Sequence, residues 1–209
     1  MRDQLPAWAL REAQLPQLAA SFPFAPDKLA LEVGFGGGEH LLARARAAPR
    51  CGFLGVEVYE SGIATLLAHA TEAKARNIRL FVDDVRLALP HLPRAAWHMI
   101  YVLYPDPWPK ARHHKRRLIT PSVLAQFYEL LAPQGELQLV SDDAPYVCAM
   151  LACVRAHGGF AWMADKAADW ETPPPDWPGT RYEKKAQAQG RHPVYLRFAK
   201  RTPPQRGCL

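Results

Sequence analysis

The sequence is poor in cysteine. Its four, Cys51, Cys148, Cys153 and Cys208, form no C-x-x-C pair and no Cys/His spacing that suits zinc. A thiolate metal centre and a disulfide scaffold are therefore excluded as organising principles, no metal is expected, and the thiols are expected to be reduced, as in a cytoplasmic protein. No apolar run approaches the roughly 20 residues a membrane span requires, and the N-terminal stretch MRDQLPAWALREAQLP has no uninterrupted apolar signal region. The reading is therefore cytoplasmic, with no membrane partner. Internal repeats and low-complexity segments are also missing. Lys and Arg (26) outnumber Asp and Glu (20), giving a net charge of +6 and a pI near 9.3. That excess favours a polyanionic partner, although the placement of the charges decides more than their sum.

With 209 residues and 49% hydrophobic content the chain suits one sizeable core. Short β-type runs at 29–33, 52–58, 78–82, 98–104 and 136–141 alternate with helical stretches at 38–47, 61–75, 121–132 and 144–157. Further β-type segments near 160–166 and 193–199 bring the count to seven. This alternation predicts an α/β architecture: a doubly wound, mostly parallel seven-stranded sheet covered on both faces. Residues 1–25 read as an N-terminal arm, 26–200 as the domain and 201–209 as a tail. The stretch Trp170–Gly179 packs four prolines and two tryptophans into ten positions, which makes it a stiff loop rather than a flexible linker.

The segment LALEVGFGGGEHLL carries an apolar strand into Gly34, Gly36, Gly37 and Gly38 and then into a helix. Glycine permits a sharp bend and lets the backbone approach a ligand closely. A dinucleotide fingerprint G-x-G-x-x-G would need glycine where Glu39 stands. The pattern is instead E-x-G-x-G-x-G, beginning at Glu32. An acid there suits a ligand bearing amino and sulfonium charge better than a pyrophosphate that it would repel. Glu57, 21 residues after Gly36, ends the next strand where ribose hydroxyls are held in doubly wound folds, and Asp84 follows the third strand within reach of an adenine amino group. Taken singly each is a solvated loop acid; taken in order and in phase with the strands they point to one crevice.

The strand HMIYVLY runs into Pro105-Asp106-Pro107-Trp108-Pro109 and then Lys110-Ala111-Arg112-His113-His114-Lys115-Arg116-Arg117. Seven of the last eight residues are basic or can become so, and the run starts at a candidate active-site strand rather than on a tail. It therefore reads as a phosphate-backbone contact rather than a solvated charge run or a localisation signal. Asp106 is confined between two prolines, which places its carboxylate at the strand's end. Trp108 offers either a face for base stacking or a lid aromatic.

These pieces together resemble the bacterial tRNA (guanine-N7-)-methyltransferases. The resemblance is carried by EVGFGGGEHL, GVEVYESGI, NIRLFVDDV, YPDPWPKARHHKRRL, the Ser-Asp pair of LVSDDAPY and TRYEKKAQAQGRHPVYLRF, in family order from about residue 30 to 198. It implies a Rossmann-like class I methyltransferase fold, S-adenosylmethionine as cofactor, and methylation of the variable-loop guanine at tRNA position 46. It places Glu32, Glu57, Asp84 and Asp106 on cofactor and active-site positions, where Gly34, Gly36 and Gly38 of the turn join the cofactor site; Asp106 is expected to be the catalytic carboxylate that orients the guanine and stabilises the positive charge growing on its ring. Lys110, Asp142, Thr180, Arg181, Tyr182 and Glu183 fall on substrate positions, and Arg112, His113, His114, Lys115, Arg116 and Arg117 on the RNA-contact segment. The chain departs from the family in having Pro109 where His is usual and Asp143 where Trp is usual.

Guanine N7 has an in-plane lone pair and no hydrogen, so methylation there requires placement and electrostatics rather than a base. Two alternatives make different predictions. An enzyme acting on an exocyclic amine would yield a nucleoside without fixed charge, and a nucleotide-sensing RNA-binding protein would bind cofactor without transferring label. The sequence is equally compatible with a monomer and a homodimer.

Overall fold

The computed structural model describes residues 5–201. In chain order its main elements are β1 (Lys28–Val33), α1 (Glu39–Ala47), β2 (Cys51–Val56), α2 (Glu60–Glu72), β3 (Ile78–Phe81), α3 (Val85–Ala88), β4 (Trp97–Leu103), α4 (Pro121–Leu130), β5 (Leu131–Ser141), α5 (Ala144–His157), β6 (Phe160–Trp162), α6 (Ala168–Glu171), α7 (Arg181–Ala188) and β7 (Val194–Lys200). The strands form one sheet in the order β3-β2-β1-β4-β5-β7-β6, with β7 antiparallel to both neighbours and β1 to β5 parallel. This is the doubly wound sheet expected from the alternation of strand and helix.

β1 and β2 read as near-continuous apolar runs because both of their faces are covered. Leu29, Leu31 and Val33 of β1 face a core shared with α4, α5 and the N-terminal segment. Ala30, on the opposite face, joins Leu41, Ile63, Leu66, Leu67 and Tyr195 under α1 and α2. Glu32 shares that second face, so strand alternation alone directs it toward α1.

Helix ends follow local chemistry. Thr120 caps α4 by accepting from Val123 N at 3.3 Å, with Pro121 at the first helical position, and Asp143 caps α5 by accepting from Tyr146 N at 2.8 Å. Gly158 closes α5 at φ 72°. β5 begins earlier than the sequence predicts. Leu131 already adopts extended geometry and pairs with Trp97, and the Pro133–Gly135 turn, with Gln134 at φ 62°, forms a bulge before pairing resumes at Glu136.

Within the stretch read as an arm, the residues from Leu10 to Phe22 contribute to the core. A 3-10 helix at Glu12–Ser21 buries Leu15 and Leu18 completely, and an isolated bridge joins Ala9 to Leu80 of β3, with Leu10 N donating to Leu80 O at 2.8 Å and Leu80 N to Trp8 O at 2.9 Å. Apart from Arg201, the stretch read as a tail lies outside the described residues. Among the described residues no helix is long and apolar enough to cross a membrane.

Candidate active site

The carboxyl ends of β1, β2, β3 and β4 open into one cleft of about 1090 Å³. Ligands bind at this edge of such sheets because the strand order reverses there and leaves a crevice between diverging loops.

On one side β1 ends in the glycine turn. Gly34, Gly36 and Gly38 all have positive φ, at 71°, 54° and 78°. A Cβ added to Gly36 would meet nothing within 4 Å, so its bare face is turned to open space where a ligand can lie against the backbone. The opposite side of the turn is tight. A Cβ on Gly62, in the first turn of α2, would come within 2.2 Å of the Gly36 carbonyl oxygen. Gly62 lies in the GVEVYESGI stretch, but nothing in its spacing announces this close approach.

The three acids take different positions around the turn. Glu32 is 2% exposed, and its Oε2 pairs with Nδ1 of His40 at 2.6 Å. Glu57, 5% exposed, accepts from Gly36 N at 2.8 Å on Oε2 and from Val58 N at 2.7 Å and Tyr59 N at 3.0 Å on Oε1. An ionised carboxylate has about four acceptor positions, so one on Oε2 remains for a hydroxyl donor. Asp84 caps α3 through Arg86 N at 2.8 Å and pairs with Arg86 Nη1 at 2.9 Å, while Asp83 lines the cleft beside it. Arg86 also donates to the carbonyls of Arg116 and Arg117 at 3.3 Å each, tying the third acid to the basic segment. Neither His40 nor Arg86 was legible as a site residue: His40 meets Glu32 only because the glycine turn brings α1 back beside β1, and Arg86 reaches the basic segment through backbone carbonyls far along the chain.

β4 delivers the Pro105–Pro109 loop. Tyr104 and Trp108 hold φ of 52° and 45°, conformations costly for non-glycine residues that persist only where the surroundings impose them. Here they are imposed by Tyr104 N donating to Val140 O at 2.8 Å and Arg117 Nε donating to Pro107 O at 2.8 Å. Asp106 lies between, exposed, lining the cleft and without a hydrogen-bond partner among the described residues. Trp108 carries the Arg116 guanidinium 4.8 Å over its ring and the edge of His113 at 5.8 Å, so one indole face is occupied.

The basic segment is a 3-10 helix, Ala111–Arg116. Lys115 and Arg116 line the cleft, whereas Arg112, His113 and His114 lie outside it and Lys110 is exposed at the start of the helix. Arg117 is turned inward: it is 8% exposed and stacks 4.8 Å over Tyr146. Its guanidinium holds the loop from below rather than facing solvent.

The far wall comes from α7, where Thr180, Arg181, Tyr182 and Lys185 line the cleft and Tyr182 packs 4.8 Å from Tyr104. Glu183 does not. It closes a capping box with Thr180 and accepts from Trp177 Nε1 at 2.6 Å, Thr180 N at 3.3 Å, Gln187 Nε2 at 3.4 Å and the Tyr195 hydroxyl. With four donors on two oxygens it has no acceptor position left for a base. Burial, followed by the nearby Glu183 carboxylate, raises the Tyr104 and Tyr195 hydroxyls well above the usual tyrosine range. Asp142 has a side chain only 5% exposed and is paired with Arg191, which also donates to Gln189 Oε1 at 2.6 Å and the Tyr182 hydroxyl at 3.2 Å. Asp143 is the α5 cap, and Pro109 is exposed. Among the described residues no group of three His, Cys, Asp or Glu could hold a metal ion.

The acids, the bare glycine face and the open acceptor on Glu57 fit a ligand with amino and hydroxyl donors. Comparison with known proteins agrees with that chemistry. A family model described as "Putative methyltransferase" matches residues 26–196. The tRNA (guanine-N(7)-)-methyltransferase of Rhodospirillum rubrum is 47% identical over 197 residues, covering 94% of this chain and 77% of that one. The protein of the same name from Rhizobium johnstonii is 46% identical over 202 residues, covering 96% and 87%. Among solved structures, the 16S rRNA methyltransferase KamB superposes with a TM-score of 0.64 at 16% identity, over 92% of this chain and 95% of that one. An antibiotic-related methyltransferase gives 0.59 at 12% identity with the same coverage. At such identities these two show the class I methyltransferase fold alone. With nearly half of its residues shared along almost its whole length, the chain belongs to the bacterial tRNA (guanine-N(7)-)-methyltransferase family.

Proposed function

We propose that this chain methylates N7 of the variable-loop guanine at position 46 of tRNA, in the cytoplasm, with S-adenosylmethionine as donor. The observation that carries the reading is a single cleft that joins the acidic glycine turn to Asp106 and to a cationic rim of Lys115, Arg116, Arg181 and Lys185. The family's printed name supports the choice of tRNA and of guanine N7.

When bound, S-adenosylmethionine supplies a methyl carbon activated by its sulfonium. In this reading Glu32 receives the donor's amino group, Glu57 a ribose hydroxyl through its remaining acceptor position, and Asp83 and Asp84 the adenine end. Asp106 holds the guanine and offsets the positive charge that grows on its ring, which needs no proton acceptor because N7 carries no hydrogen. Tyr182, backed by Tyr104, offers a stacking face for an unstacked base. Asp142, outside the cleft lining but joined through Arg191 to the Tyr182 hydroxyl, serves the base's N–H groups, whereas Glu183 anchors α7. Lys110, Arg112, His113 and His114 extend the cationic rim along the phosphate backbone.

Incubation with radiolabelled donor and unmodified tRNA, beside a tRNA whose variable-loop guanine is adenine, tests the reading. Label confined to the first, recovered as N7-methylguanosine, is expected; equal label in both overturns the site.

A further inference from the structure

We propose that His40 is a positioning residue for the cofactor: its Nδ1–H donates to Glu32 and fixes which way that carboxylate faces. The proposal rests on the reading of Glu32 as the acid that receives the donor's amino group, and assigns a role to a side chain outside that reading.

Both residues are 2% exposed and meet at 2.6 Å across the glycine turn, Glu32 from β1 and His40 from the first turn of α1. His40 is the one hydrogen-bond partner of the Glu32 carboxylate among the described residues, so it supplies the directional bond that orients that carboxylate. The imidazole is itself confined. Tyr101 meets it edge-on at 4.8 Å, and Trp177 packs against it at 4.8 Å with its indole N–H tied to Glu183.

A carboxylate only accepts, so Nδ1 keeps its hydrogen and donates, and in the neutral ring Nε2 is then the acceptor. His40 Nε2 is buried without a protein partner, and so is the amide Nε2 of Gln138, 4% exposed on β5. Both side chains line a second, small cavity of about 80 Å³ together with Arg44, Asp176, Glu136 and Arg197. The charges there pair off, Arg44 with Asp176 and Arg197 with Glu136, so the space suits a neutral occupant rather than an ion. A water bound in this cavity, accepting from Gln138 and donating to His40, would satisfy both orphaned groups and hold the tautomer that Glu32 requires. His40 also lines the main cleft, so it connects the two spaces. By analogy with the outer-shell partners of metal ligands, whose removal costs about 10-fold or more in affinity, loss of His40 is expected to weaken cofactor binding about 10-fold.

Calorimetric binding of S-adenosylhomocysteine, with KM and kcat for donor and tRNA, tests this on His40→Leu, His40→Asn, His40→Gln and Glu32→Gln. Asn sets its amide N–H near the position of Nδ1, whereas Leu fills the space without a donor and Gln reaches past it. The expected result is a loss of about 10-fold in affinity and a matching rise in donor KM for His40→Leu, substantial recovery in His40→Asn, and kcat and tRNA KM within about 3-fold of the parent. A ring that served only as filler would be replaced better by Leu than by Asn, and that order overturns the proposal. If His40→Leu does not fold, the comparison moves to Asn against Gln, and equal or better binding by Gln overturns it. Glu32→Gln separates the two levels. Unchanged affinity in that variant defeats the reading of Glu32 itself, whereas weakened affinity there with parental affinity in His40→Leu defeats only the role of His40.

Discussion

Trp177 donates its indole N–H to Glu183 at 2.6 Å, and that contact clamps the proline-rich loop to the helix that forms the far wall of the cleft. The Arg44–Asp176 ion pair fastens the same loop to α1. The loop is therefore held on both sides, and α7 is presented to the cleft at a fixed height.

Asp106 is the one cleft carboxylate at the β4 end with no partner among the described residues, so its charge is free to act on a bound base. Asp106→Asn is expected to lower turnover about 100-fold, a loss typical of removing one preorganised electrostatic group, while tRNA affinity stays within a few-fold. Single-turnover label transfer and filter binding measure the two quantities. An unchanged turnover number removes the residue from catalysis.

The basic segment separates into two kinds of arginine. Replacing Arg112, Lys115 and Arg116 together by Ala should flatten the salt dependence of tRNA binding by about 2 units, at roughly 0.7–0.9 per lost phosphate contact. Arg117→Ala should leave that slope alone and lower the melting temperature instead, because its guanidinium supports Pro107 and packs on Tyr146. Binding isotherms between 50 and about 300 mM salt distinguish the two.

Gly62→Ala places a methyl 2.2 Å from the Gly36 carbonyl, a backbone atom that can yield only by moving the glycine turn. A stability loss of about 1–3 kcal/mol, the usual cost of overpacking, is expected, together with weakened S-adenosylhomocysteine binding. Denaturant titration and calorimetry check both. Parental affinity would show that the turn has slack.

Burial pushes the Tyr101 hydroxyl up to about 12. A folded-state value above the unfolded one means that the folded protein binds the proton more tightly, so stability is intact below about pH 10 and falls as pH rises toward 12. Tyr101→Phe should be less sensitive over that range, by about 1 kcal/mol near pH 11. Urea titrations at pH 9 and pH 11 provide the comparison.

Much of this architecture was legible because two periodicities coincide. The apolar runs of β1 to β4 are each followed by an acid or a glycine turn, and that order alone predicts that Glu32, Glu57, Asp84 and Asp106 meet in one cleft, as they do. The misses have local causes. RYEKKAQA has only Ala186 and Glu183 on its buried side, so α7 has no apolar stripe to betray it, although the Thr180-x-x-Glu183 capping signature was there to be read as a helix start. Arg117 could not be told from its neighbours, because a run of cations does not reveal which member points inward. Glu183 and Asp142 are acids whose partners, Trp177, Tyr195 and Arg191, come from separate segments, so their pairing emerges only in three dimensions.

The short bridge between Ala9 and Leu80 has a wider implication. β3 is the last strand on its side of the sheet, and such a border with idle amide and carbonyl groups invites strands from other molecules to add on. Residues 8–10 occupy part of that border. A chain begun after Leu10 would leave it bare, and clumping at high concentration, rather than a damaged catalytic cleft, would be the first symptom.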